Sequence, residues 1–362
     1  MAAYIDGVAV ELTEAIGAAA GRLAAARMPL VTGLCADMAT IRAAHTLAQR
    51  CGAVIDHAQS AAFFPIIEAL REGGLVMGLP AEVRRRADRL LLVGADALSA
   101  WPGLLDMVLV PEPDLGPGAG QPRAIAWIGP PANASDWPAG IAITPYACPQ
   151  ERLTEVLGLV ACALAGRPHR EGPFPKAQMA ALVEFLEGAG FGCIAWSVRA
   201  TDTLGHRMAA ELVDRLNLHT RYTAMPTHAD PTGYGAAMLS NFVTGFPLRV
   251  RASGSGWAHD PILYDASRLL AAGECDAALS VHTQPEVSHP GCDIVIDPAP
   301  QPGMAGIVIG GGAPPDAVDY GPAIGSFVPA EPGRFAVAEV PAPGILMQIS
   351  DAVRQLRQRA AA

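Results

Sequence analysis

The chain has 362 residues, enough for two α/β domains, of which 51% are apolar and only 17% charged. Its net charge of −10 excludes the basic face that nucleic-acid phosphates demand, and no segment reaches the roughly 18 uninterrupted apolar residues of a membrane span. So little charge points either to apolar surface covered by other chains, as in an obligate complex, or to a genome biased toward Ala, Gly, Pro and Arg, Lys176 being the only lysine.

The N-terminus, Met1 to Asp6, lacks a basic region and soon meets Glu11 and Glu14. No signal peptide is expected, so the location is expected to be cytoplasmic with reduced thiols. Short apolar runs then alternate with helix-length segments, the pattern of a parallel α/β sheet. Pro29 to Gly33 predicts a strand, Ile41 to Cys51 a helix, and Ala53 to Asp56 a second strand. Arg89 to Gly94 and Arg123 to Ile128 predict two more strands, with Pro111 to Gln121 a loop before the second. Glu151 to Ala165 and Lys176 to Glu187 predict helices, Gly192 to Val198 a strand, Gly205 to Asn217 a helix and Tyr222 to Met225 a strand. Pro226 to Asn241 is rich in Gly, Pro and Asn and separates this series from a second one. There, Pro261 to Ala272 predicts a helix, and Cys275 to Val281, Asp293 to Asp297, Gly306 to Ile309 and Arg334 to Val340 predict β segments. Ile345 to Arg359 predicts a final helix.

Motifs that carry chemistry are scarce. Phosphate-binding, zinc-protease and nucleophile-elbow signatures are absent, and no two of the seven cysteines form a CxxC pair. Gly188, Gly190 and Gly192 precede a strand instead of following one, so they predict a helix end and turn, not a dinucleotide loop. His282 and His289 lie seven residues apart just past a strand end, a metal site or, with no metal motif between them, polar loop residues, and His228 with Asp230 could form an acid–base pair or a hydrogen-bonded loop.

From about Pro29 to Asp297 the chain resembles the B subunit of formylmethanofuran dehydrogenase, a molybdenum or tungsten pterin enzyme. The matches run in order through Pro29-Leu-Val-Thr-Gly33, Gly52-Ala-Val-Ile-Asp56, Ala87 to Asp96 with Trp101-Pro102, Pro226 to Gly245 with His228, Gly233 and Thr244-Gly-Phe-Pro247, and Glu274 to Leu279. The resemblance implies an α/β fold of two doubly wound Rossmann-like units, as in the molybdopterin oxidoreductase core, without the iron–sulfur domain. Residues 25–225 are expected to form the first unit, 1–24 with 226–330 the second, and 331–362 a C-terminal extension.

The departures from the family are informative. Its metal-ligating cysteine lies in a segment that here reads Asp56-His-Ala-Gln-Ser60-Ala-Ala62-Phe63-Phe64-Pro65, with Ala62 at the ligand position. A methyl group cannot coordinate the metal. The Asn-Pro turn of the family is replaced at Gly94-Ala95-Asp96-Ala97, and its four-cysteine segment has no counterpart. The chain is similar in this to the B subunit of the formyltransferase/hydrolase complex of methylotrophic bacteria. The resemblance implies a non-catalytic scaffold that binds no cofactor. Its implied partners are the A, C and D subunits, of which A is a metal-dependent hydrolase and D a formyltransferase. As implied, that complex moves a formyl group from formyl-tetrahydromethanopterin to a methanofuran-like carrier and releases formate. Two other readings stand beside it. One is an active pterin oxidoreductase with an oxygen ligand such as Ser60. The other is a carrier-binding module in which Arg84, Arg85, Arg86, Arg249 and Arg251 meet acidic groups.

Overall fold

A computed structural model describes residues 2–362 apart from 102, 130–140, 229, 231, 255, 286–290 and 302–303. Pro102 and His289, singled out above, therefore lie outside the described residues. The chain opens with β1 (Ala3–Ile5), β2 (Val8–Ala9), α1 (Leu12–Ala25), β3 (Pro29–Cys35), α2 (Met38–Cys51) and β4 (Val54–Ile55). It continues through α3 (Ser60–Gly73), α4 (Pro80–Arg86), β5 (Arg89–Val93), β6 (Ala124–Ile128), β7 (Ile143–Tyr146), α5 (Leu153–Leu164) and α6 (Lys176–Glu187). Next come β8 (Gly192–Ser197), α7 (Thr203–Leu216), β9 (Tyr222–Thr227), α8 (Thr232–Thr244), β10 (Val250–Ser253) and β11 (Gly256–His259). The chain closes with α9 (Ala266–Ala271), β12 (Ala277–His282), β13 (Ile294–Asp297), β14 (Ile307–Gly310), β15 (Val318–Gly321), β16 (Ser326–Pro329) and α10 (Ala342–Ala361).

These elements form two compact units. An outer unit comprises Met1–Ala61, Pro231–Gly321 and Ser326–Ala362, and an inserted unit comprises Ala62–Asp230 and Pro322–Gly325. The division corrects the expected boundaries. Residues 25–61 belong with the outer unit because β3 pairs in parallel with both β4 and β12, in a register that sets Pro29 opposite Ala277. Residues 331–362 are not an extension either. Ile345, Leu346, Ile349 and Val353 recur at helical spacing on α10, are fully buried, and pack on α1 and α2.

The outer sheet has the order β11-β10-β4-β3-β12-β13-β14-β1-β2. Its five central strands, β4 to β14 in that order, are parallel, and antiparallel pairs close both edges. Every residue of β3 and of β12 is buried, which is why both read as continuous apolar runs rather than alternating ones. Helix α2 is well specified locally. Asp37 caps its first turn by accepting from the Thr40 N–H at 3.0 Å, and Gly52 ends it at φ 66°.

Three expectations for this unit need correction. The glycine-rich stretch after Pro226 contains a helix, α8; Gly235 is there for close packing, since a Cβ would sit 2.7 Å from the Tyr320 Cβ and 2.9 Å from Met38. The helix expected from Pro261 starts only at Ala266, where Asp265 accepts from the Arg268 N–H at 2.8 Å. Arg334 to Val340 forms no regular strand and makes an isolated pairing of Val337 with Ala313.

The inserted unit carries an all-parallel sheet of order β7-β6-β5-β8-β9. Its core packs Leu90, Leu92, Trp127, Cys193, Ala195 and Met225 against Val83, Leu104 and Val108. Arg123 ties one end of the sheet to a π-helical turn at Leu105–Leu109, donating to the carbonyls of Ala87, Val108, Leu109, Pro111 and Arg84. Both units are therefore doubly wound α/β structures.

Candidate functional site

Open parallel sheets bind ligands beyond the carboxyl ends of their strands, at the point where strand order reverses. In the inserted unit that point lies between β5 and β8. Gly94 follows β5 at φ 97°, and a Cβ there would lie 2.8 Å from that of Ala200, which follows β8. The crevice is bridged by the protein itself. Gln150 Oε1 accepts from the Ala95 N–H at 3.2 Å, and its Nε2 donates to the Ala200 carbonyl at 2.5 Å. Trp127 Nε1 donates to the Gly94 carbonyl at 2.8 Å. The backbone groups at this strand-end crevice are thus engaged by Gln150 and Trp127.

In the outer unit the reversal lies between β3 and β12, and the strand ends carry a buried polar cluster. Gly33 at φ 82° lets β3 press on β12, because a Cβ would lie 2.6 Å from Ser280 Oγ. Past it, Asp37 donates its N–H to Thr283 Oγ1 at 3.2 Å, and that hydroxyl donates back to Asp37 Oδ2 at 3.3 Å. His57 Nδ1 accepts from the Gln59 N–H at 3.0 Å, which leaves the proton on Nε2, 3.4 Å from Thr232 Oγ1 and 3.9 Å from Cys35 Sγ. His282 lies 2.7 Å through Nδ1 from the Gln284 carbonyl and 3.2 Å through Nε2 from Asp297 Oδ2.

Beside this cluster sits a buried ion-pair node that the sequence does not announce. Asp56 is wholly buried and accepts from the His57 N–H at 2.9 Å, the Ala266 N–H at 2.9 Å and Ser60 Oγ at 2.7 Å. Arg249 lies 3.6 Å from Asp56 and 2.5 Å from Asp265, and it also donates to Ser60 Oγ and to the Pro261 carbonyl. Burial pushes the Asp56 carboxyl up to about 7, against the downward pull of Arg249, the Ala266 N–H and Ser60. The signal in the sequence is slight: Asp56 is a carboxylate closing an apolar strand, and its partners are remote in the chain.

The residues expected to matter are placed as follows. Ala62 lies half-buried in the first turn of α3, while Phe63 and Phe64 are buried with ring centroids 5.9 Å apart. The edge of the His228 ring approaches Phe63 at 6.1 Å. His228 Nδ1 accepts the backbone N–H of Asp230 at 2.9 Å, and burial holds the ring's pKa down against the upward pull of the Asp230 charge. Ser60 Oγ donates to Asp56 at 2.7 Å and accepts from Arg249 at 3.2 Å. Among the described residues, no three His, Cys, Asp or Glu side chains are placed to hold a metal ion. The Ala62 methyl offers no donor to a pterin-bound molybdenum or tungsten.

The arginines separate into two kinds. Arg84, Arg85 and Arg86 lie exposed on α4, where Arg85 pairs with Asp114 at 3.0 Å and Arg86 with Glu82 at 2.9 Å. Arg249 is not an exposed carrier contact as expected, because its guanidinium is buried and committed to Asp56 and Asp265. Arg251 is half-buried and donates to the Arg27 carbonyl at 2.9 Å. No helix among the described residues is long and apolar enough to cross a membrane.

Fold and site together define a two-unit, doubly wound α/β protein whose strand ends carry networks of hydrogen bonds among its own groups. No protein-family model matches the chain. It is 35% identical over 287 residues to the B subunit of the formyltransferase/hydrolase complex Fhc of Methylorubrum extorquens, an alignment covering 79% of this chain and 75% of that one. It is 26% identical over 290 residues to the B subunit of a tungsten-containing formylmethanofuran dehydrogenase 2 of Methanocaldococcus jannaschii, covering 78% of this chain and 66% of that one. Its structure superposes with a TM-score of 0.86 and 29% identity, over 100% of both chains, on a chain of the crystal structure of the FhcABCD complex of Methylorubrum extorquens with methylofuran. The chain belongs to the family of formyltransferase/hydrolase complex B subunits, with a more distant likeness to the B subunit of formylmethanofuran dehydrogenase.

Proposed function

We propose that this chain is a structural, non-redox member of a formyltransferase/hydrolase complex. It holds together the polypeptides that pass a formyl group from formyl-tetrahydromethanopterin to a methanofuran-like carrier and hydrolyse it to formate. In this reading the A subunit is the hydrolase, the D subunit is the transferase, and the C subunit completes the assembly. The observation that carries the reading is Ala62 at the position of the metal-ligating cysteine, followed by the buried pair Phe63 and Phe64. A methyl group in place of the thiolate gives the metal no donor at that position, so in this reading the chain contributes surfaces and not electrons. Release of formate by hydrolysis calls for no redox step, which lets such a polypeptide persist. The exposed arginines Arg84 to Arg86 remain a face on which acidic groups of the carrier can rest.

The test is co-expression of the complex with and without this chain. With it, the A, C and D subunits are expected to co-purify as one assembly that releases formate. Without it, the assembly is expected to fall apart and formate release to drop sharply. Full assembly and undiminished formate release in its absence would refute a scaffold role.

A further inference from the structure

We propose that a depression in the outer unit lined by Arg27, Arg251 and Arg357 binds a small multivalent oxyanion, a phosphorylated or polycarboxylate molecule. The depression has a volume of about 610 Å³, and Gln49, Gly254 and Tyr264 also line it. That volume lies within the range of small-molecule sites.

Two of the arginines are held in place. Arg251 donates to the carbonyls of Gly52 at 3.5 Å and Arg27 at 2.9 Å; Arg357 donates to those of Arg50 at 3.3 Å and Cys51 at 2.9 Å. A guanidinium has five N–H donors, so each keeps several for a ligand, with its orientation already fixed. None of the three forms an ion pair with a carboxylate among the described residues, although other arginines, such as Arg22, Arg268 and Arg334, do. The carboxylate that faces Arg27 from the neighbouring strand end, Asp276, is taken up by the backbone N–H groups of Arg27 at 2.7 Å and Met28 at 2.9 Å.

Capping of α2 alone does not account for the cluster. The carboxyl end of a helix carries about half a negative charge, which a single arginine more than offsets. Here three positive charges gather against the carboxyl ends of α1 and α2 and the Asp276 carboxylate, and still exceed them, in a chain whose net charge is −10. Guanidinium forks match the paired oxygens of phosphate and carboxylate groups, and a multivalent anion matches three of them. This inference does not depend on the role of the chain in a complex.

The experiment is calorimetric titration of the full chain with inorganic pyrophosphate and, separately, with citrate, in chloride of matched ionic strength. Saturable binding of at least one is expected, weakening as salt rises, and the tighter of the two identifies the ligand as phosphate or carboxylate in type. Arg27→Glu is the decisive variant, because Arg27 is exposed and, among the described residues, its hydrogen bonds are made by its backbone N–H and carbonyl. It is expected to weaken binding at least about tenfold with an unchanged melting temperature. Arg251→Gln, checked for folding by circular dichroism, is expected to act in the same direction. Lack of saturable binding of either anion, or affinity unchanged in both variants, would overturn the proposal.

Discussion

Replacing Arg249 with alanine is expected to destabilise the outer unit by about 3–5 kcal/mol, the cost of leaving a buried charge without its partner. The side chain is buried, and its loss strands two carboxylates, Asp56 at 3.6 Å and Asp265 at 2.5 Å, while removing a donor to Ser60. The loss is also expected to depend on pH. Burial raises the Asp56 carboxyl from its ordinary 3.8 to about 7, so between these values the folded state holds a proton that the unfolded chain has released. The contribution of this group is fully present below about pH 4, falls by up to about 1.4 kcal/mol per pH unit as pH rises, and is lost above about pH 7. Urea unfolding of wild type and Asp56→Asn across pH 5 to 8 reads this directly, the variant lacking that part of the slope. Arg249→Ala should cost more at pH 8, where Asp56 is ionised, than at pH 5, where it is mostly protonated. An equal cost at both would mean that the carboxylate does not depend on Arg249.

Phe63→Ala is expected to cost about 3–5 kcal/mol, as for other large aromatic truncations in a close-packed interior. Phe63 is fully buried, with Phe64 and His228 as ring neighbours at 5.9 and 6.1 Å. The magnitude separates two pictures of the lost ligand position. If the two rings are true core, the cavity left behind is expensive. If they lie in a crevice with room for a cofactor, truncation costs little. Thermal unfolding of the variant decides, and a change below about 1 kcal/mol would contradict a filled interior. Ala62→Cys, at a half-buried position, should by contrast leave stability nearly unchanged.

The parts of the fold visible in the sequence are those set by local physics. Strands β3, β5, β8 and β12 are buried on both faces, so each reads as an unbroken apolar run. Helix α6 has the bounds that its sequence predicts, starting after Pro175. Helix α8 is obscured because its glycines, which weigh against a helix by propensity, are needed for contact with Met38 and Tyr320. The assignment of residues 25–61 and of α10 to the outer unit depends on pairings between segments far apart in the chain, which no window of sequence contains. The candidate site divides in the same way. Ala62, Phe63 and Phe64 are legible because the difference is in the residues themselves. Burial of Arg249 is not, since an arginine looks the same on a surface and in an ion-pair node. Nor is the bridge made by Gln150, which follows from where β5 and β8 end.

The most direct test of a non-redox role is elemental analysis of this chain purified within its complex, combined with an assay for electron transfer from formyl-carrier or formate to a dye. Molybdenum, tungsten and iron are expected to be far below one atom per chain, with formate released and no dye reduced. Stoichiometric molybdenum or tungsten on this polypeptide, or dye reduction that follows it through purification, would contradict the claim that Ala62 ended its metal chemistry.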